Sequence, residues 1–80
     1  MKIGGRIILA KNIRVYTSIE FSATYKRHYI NVKLYRELPG QNPEWDCDVR
    51  HYDGGIAVNT IIQRCSIHDA IVYALDGSLL

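Results

Sequence analysis

Residues 13–22, IRVYTSIEFS, alternate at every step: Ile13, Val15, Thr17, Ile19 and Phe21 point one way, and Arg14, Tyr16, Ser18, Glu20 and Ser22 the other. A period of two carried by β-branched residues predicts a strand with one wet face. Residues 29–37 repeat the pattern, with Ile30, Val32 and Leu34 inward and Tyr29, Asn31, Lys33, Tyr35 and Glu37 outward. The intervening ATYKRH holds neither Gly nor Pro, which predicts a wide hairpin rather than a tight two-residue turn. Pro39-Gly40 suits the centre of a type II turn, and Pro43 removes another backbone donor. WDCDVRHY then alternates again, Trp45, Cys47 and Val49 inward against Asp46, Asp48, Arg50 and Tyr52. Asp53-Gly54-Gly55 reads as a hairpin turn. The next stretch, IAVNTIIQR, reads as a further strand with Ile56, Val58, Thr60 and Ile62 on its core face. A short helix over residues 56–64 would bury several of the same side chains, so periodicity alone leaves both readings open.

The helical signal comes last. Ser66 is placed to cap the first free amides, with Asp69 three residues on as its partner. Ile67, Ala70, Ile71, Ala74 and Leu75 recur at helical spacing, and Gly77 suits a C-cap. Asp76 opposes the helix dipole unless another group compensates it. The fold class is therefore α+β: a four- or five-stranded, mostly antiparallel sheet with one C-terminal helix packed on its apolar face. Residues 3–9 are a candidate extra edge strand, weakened by Gly4-Gly5. One helix is too narrow to hide every inward residue, so either the sheet is strongly curled or another protein, such as a second copy, closes the remaining apolar area.

The 80 residues, 1–80, are read as one domain. An apolar fraction of 48% is too high for a disordered chain, and there is no 18-residue apolar run to span a membrane. Arg6 and Lys11 interrupt the opening apolar patch, which argues against a secretory signal and for a cytoplasmic protein. Charge is sorted along the chain. Residues 1–36 carry eight basic residues against Glu20 alone, whereas residues 37–80 carry Arg50 and Arg64 against seven acidic ones. Such polarity orients association with a charged partner without deciding the fold.

Candidate chemistry is sparse. His51 and His68 with Cys47 and Cys65 supply the residue types of a zinc site, but without a close C-x-x-C pair. Asp46 and Asp48 read as a solvated strand face with Arg50 as countercharge. No nucleophile–base–orienter set and no phosphate loop stand out, so no enzyme, cofactor or metal is expected. What remains is a binding face: Arg14, Tyr16, Tyr29, Lys33, Tyr35, Arg50 and Tyr52 on the outer strands, with Tyr25, Lys26 and Arg27 at the connection. Tyr and Arg suit a protein interface, and Tyr flanked by Lys and Arg also suits single-stranded nucleic acid. Asp46 and Asp48 on the same face repel phosphate, which favours a larger protein or nucleoprotein complex as partner over nucleic acid itself. A homodimer is compatible with either.

In size and order of elements, over residues 13–77, the chain resembles the small phage-encoded proteins that block host defence, in particular anti-CRISPR proteins pairing an antiparallel sheet with one helix. The resemblance implies a non-catalytic inhibitor that occupies a site on a larger host nucleic-acid-processing complex, in the host cytoplasm. The alternative is a nucleic-acid-binding accessory protein that stacks bases on Tyr16 and Tyr35 beside Lys33 and holds phosphates with Lys26 and Arg27.

Overall fold

A computed structural model describes the backbone of residues 1–79 and the side chains of these residues except Ile56 and Leu79. Strands β1 (Lys2–Ile3) and β2 (Arg6–Ile7) pair as a small hairpin. A 3-10 turn at Ala10–Asn12 leads into β3 (Ile13–Tyr16). Then follow β4 (Glu20–Tyr25), β5 (His28–Arg36), β6 (Glu44–His51), β7 (Ile56–Gln63) and helix α1 (Ile67–Leu79). Strands β3 to β7 form one five-stranded sheet in sequence order, antiparallel throughout. The radius of gyration, 12.0 Å, equals the roughly 12 Å of a single compact unit of this length.

The α+β class and the C-terminal helix are as expected, but the fifth strand has another origin. Residues 13–22 make two strands rather than one. The Thr17 hydroxyl accepts the amides of Ile19 (3.2 Å) and Glu20 (2.9 Å), and the Thr17 amide donates to the Glu20 carbonyl at 2.8 Å. A side chain that bonds its own backbone turns the chain where the alternation runs on unbroken. Ile19, expected inward, is 55% exposed on this turn. A second departure lies at Arg14, where a bulge shifts the register between Ile13 and Val15. Residues directly opposite share a face, so Val15 joins Ser22 on the outer side while Tyr16 joins buried Phe21 on the helix side. Both expectations for these two residues are thus reversed.

The inward faces expected for β5 and β6 hold. Strand β5 buries Ile30 and Val32, and β6 buries Trp45, Cys47 and Val49. Residues 56–63 are a strand, with Val58 and Ile62 packed against the core; the expectation for Ile56 lies outside the described side chains. The turn at Leu38–Gln41 closes with a 3.1 Å bond and holds Gly40 at φ 72°, which the second central position of a type II turn requires. Ser66 caps α1 through its hydroxyl to the Asp69 amide (3.4 Å). Ile67, Ala70, Ile71, Ala74 and Leu75 are all buried on the sheet. The two alanines permit close approach, and the Cys47 thiol reaches the Ala70 carbonyl at 3.8 Å. Gly77, in contrast, is no cap: the helix runs through it to Leu79.

The apolar face left over by α1 is covered by the β1–β2 hairpin, which never joins the main sheet. Its Ile3 and the following Ile8 are fully buried in the core. Gly4, at φ 58°, turns the hairpin flat against the helix, and a Cβ there would meet both Val72 methyls at 3.3 Å. Arg6 supplies the countercharge that Asp76 needed, at 2.7 Å.

Candidate binding face

The outer side of the sheet, opposite α1, is a lattice of cross-strand rows. Register places Glu20, Lys33, Asp46 and Ile61 in one row. The next holds Val15, Ser22, Asn31, Asp48 and Asn59. A third holds Thr24, Tyr29 and Arg50. Because β5 belongs to the basic half of the chain and β6 to the acidic half, their pairing interleaves the charges. Lys33 lies between two carboxylates, Arg50 Nε bonds both Asp48 oxygens at 3.1 Å, and Arg36 meets Glu44 at 2.6 Å. Exposed pairs of this kind contribute little stability, about 0–1 kcal/mol, but they cancel the local field. Of the eight basic residues in 1–36, Lys33 and Arg36 are met in this way by carboxylates of β6.

Within the main sheet, the cations without such an arrangement lie toward one end. Strands β4 and β5 are joined by Lys26 and Arg27 alone, at φ 45° and 65°. This is the positive-φ pair of a type I′ hairpin, not the wide connection expected, and Asn-Gly is its usual sequence. The Tyr52 amide donates to the Arg27 carbonyl at 2.9 Å, tying this tip to the β6–β7 turn. The Arg27 guanidinium lies 5.8 Å from the Tyr52 ring, and Tyr52 packs on Tyr29 with centroids 4.6 Å apart. Next to them, Arg14, Ser22, Thr24, Tyr29, Asn31 and Arg50 line a shallow hollow of about 100 Å³.

The far side of the tip is braced. His28 Nδ1 donates to the Lys26 carbonyl (2.8 Å), and its ring stands edge-on to His51 at 5.0 Å. His51 meets Asp53 at 2.9 Å. The Gly55 amide and then His51 hold the Asp53 carboxyl below its ordinary range.

Of the sequence-predicted face, the fold brings together Arg14, Arg27, Tyr29, Arg50 and Tyr52, with Lys26 beside them in the turn but its ammonium over the Tyr25 ring at 5.5 Å. It separates the other four. Tyr16 stands edge-on to Phe21 (5.4 Å, 88°) on the helix side, where Tyr25 also packs against the core. Lys33 sits mid-sheet among carboxylates. Tyr35 occupies the bulge between Leu34 and Arg36, about 20 Å along β5 from Tyr29. Sequence reasoning missed Thr24, hidden in a stretch read as loop. It considered Cys65, but not its contact with Asp69, to which the thiol donates at 2.8 Å; that i, i+4 spacing was legible once α1 was placed. The same carboxylate raises the Cys65 thiol's pKa, while burial and then Asp46 push Cys47 up to about 11. Neither cysteine has the thiolate character of a nucleophile. Among the described residues no helix is long and apolar enough to cross a membrane, and no cluster of three or more metal-ligating side chains occurs. Compared with protein-family models, curated proteins and solved structures, the chain matches none.

Proposed function

We propose that the chain is a non-catalytic binding module that docks on an acidic surface of a larger protein through Lys26, Arg27, Tyr29 and Tyr52. The observation that carries this reading is the strained tip. Two non-glycine residues are held at positive φ, a conformation that costs of order 1–2 kcal/mol for each L-residue. Asn-Gly would relieve that strain with no loss to the ladder, so the two cationic side chains stand at the tip at a cost in backbone energy. Tyr and Arg are also the residues that dominate binding energy at protein interfaces.

Two features weigh against a nucleic-acid track. The cations of the sheet centre are matched by carboxylates, and the five tyrosines of the sequence-predicted face fall into one pair, one distant residue and two on the opposite side. A strand of stacked bases would find a single aromatic platform here. In its finer form this reading makes the partner a nucleic-acid-processing complex and the chain its stoichiometric inhibitor. The resemblance in size and order of elements to small phage inhibitors supports that form.

The test is a matched affinity capture with wild type and a Lys26→Ala/Arg27→Ala/Tyr52→Ala variant. The expected result is a stoichiometric partner held by wild type and lost with the variant, both proteins being folded by circular dichroism. A partner retained equally by both overturns the assignment. Binding to single-stranded oligonucleotide whose salt slope drops by about two on removing Lys26 and Arg27 would instead establish the nucleic-acid reading.

A further inference from the structure

The two edges of the main sheet are built differently. Strand β3 is four residues long, bulged and basic at Arg14, features that discourage pairing with another chain. Strand β7 at the other edge runs for eight residues, IAVNTIIQ, without a charge, a proline or a glycine. Its outer-face Ile61 is 44% exposed.

The register shows which backbone groups the edge offers. The Arg64 amide bonds the Pro43 carbonyl at 3.2 Å, continuing the Glu44–Gln63 pairing. Bonded and non-bonded positions alternate along an antiparallel ladder, so Ile62, Thr60 and Val58 turn their amides and carbonyls to β6. Asn59, Ile61 and Gln63 turn theirs to the open side.

We infer that β7 pairs antiparallel with β7 of a second copy about a two-fold axis at Ile61, making one continuous ten-stranded sheet. The edge is its own complement in that register. Ile61 faces its counterpart, Asn59 faces Gln63 of the other copy, and Thr60 faces Ile62. Apolar meets apolar and amide meets amide on the outer face, and the three outward-turned residues make about six backbone hydrogen bonds. Like charges do not collide. Within the outer-face rows, Asp46 and its mate, and likewise Asp48 and Glu44 of the other copy, lie three strand spacings apart, about 14 Å, beyond a screening length of roughly 8 Å. The two-fold arrangement is the isologous kind that closes on itself, so the assembly stops at two. The tips bearing Lys26 and Arg27 are left free, and the dimer stands or falls independently of the function proposed for them.

Sedimentation equilibrium over a concentration series tests the pairing. Wild type is expected to approach the mass of two chains by hundreds of micromolar. Ile61→Lys, which sits across from Asp46 within its own sheet, should stay folded and raise the dimer dissociation constant at least tenfold. Ile61→Cys in a Cys65→Ser background should form a covalent dimer under mild oxidation, because only the two-fold register brings position 61 against itself. A wild type monomeric at 0.5 mM overturns the inference, as does a folded Ile61→Lys variant that dimerises unchanged. Failure of the Ile61→Cys variant to cross-link overturns the register.

Discussion

Lys26 and Arg27 set two effects against each other, and their magnitudes decide which is larger. Replacing them by Asn and Gly removes backbone strain of order 1–2 kcal/mol per residue. It also removes the contacts of Lys26 with Tyr25 and of Arg27 with Tyr52, each about 0.5–1 kcal/mol at an exposed site. The net expectation is a gain of about 1 kcal/mol by urea denaturation, together with loss of partner binding. Stability and binding moving together would contradict the proposed role of the tip. A second residue-scale expectation concerns the carboxylates. Asp53 is held low by Gly55 and His51, and Asp69 by Cys65 and then His68. A depressed native pKa means the contribution is complete above the unfolded value, about 3.9, and is lost as pH falls through the native value. Both groups should titrate below that value by carbon-detected NMR, and Asp53→Ala should flatten part of the stability loss on acidification. In the opposite direction, Asp69→Asn removes what raises the Cys65 thiol, so alkylation of Cys65 at pH 7.5 should accelerate. The residues of the tip were partly legible: alternation placed Tyr29, Arg50 and Tyr52 outward correctly. Tyr16 was not, because one extra residue at Arg14 reverses the faces of Val15 and Tyr16 and leaves no mark in an alternating pattern.

Elements were legible where punctuation and period agreed. Pro39-Gly40, Asp53-Gly54-Gly55 and Ser66 fixed two turns and a helix start that the fold reproduces. The Thr17–Ile19 turn escaped because its stop signal is a hydroxyl bonding its own backbone, while apolar residues continue at every second position through it. The Lys26–Arg27 turn escaped because its residues are not those the conformation prefers. Gly77 misled for the converse reason: a glycine near a helix end usually adopts positive φ, whereas here it lies inside α1 with its α-carbon turned to Val58. The two interpretations make opposite predictions. A C-cap glycine changed to alanine destabilises through a forbidden φ. A mid-helix glycine changed to alanine gains about 0.5–1 kcal/mol of helix propensity. The added Cβ would lie 3.4 Å from a Val58 methyl, an ordinary contact, so Gly77→Ala should raise the midpoint of thermal unfolding. A lowered midpoint would mean that Val58 cannot yield.

At the scale of the whole molecule the sheet presents more apolar surface than one helix covers, and the β1–β2 hairpin closes the remainder. The sequence pattern pointed instead to curling or to another protein as the cover, with residues 3–9 as an extra edge strand, because two-residue strands carry no period. Their burial depends on contacts distant in sequence, Gly4 with Val72 and Arg6 with Asp76. Two terms hold the hairpin down, and they are unequal. The Arg6–Asp76 pair is half exposed on its acidic side, so Arg6→Ala should cost at most about 1 kcal/mol. Ile8 is fully buried, and truncating such a side chain costs about 2–5 kcal/mol through lost transfer energy and the cavity left behind. A domain of this length has roughly 4–12 kcal/mol in total, so Ile8→Ala should remove a large fraction of it. Denaturant unfolding followed by the fluorescence of Trp45, buried with its indole N–H on the Arg64 carbonyl, reports the difference. Ile8→Ala is expected to shift the midpoint several times further than Arg6→Ala. Equal small shifts would mean that the hairpin merely lies on the core, and that the apolar underside of the sheet tolerates water where Ile3 and Ile8 now exclude it.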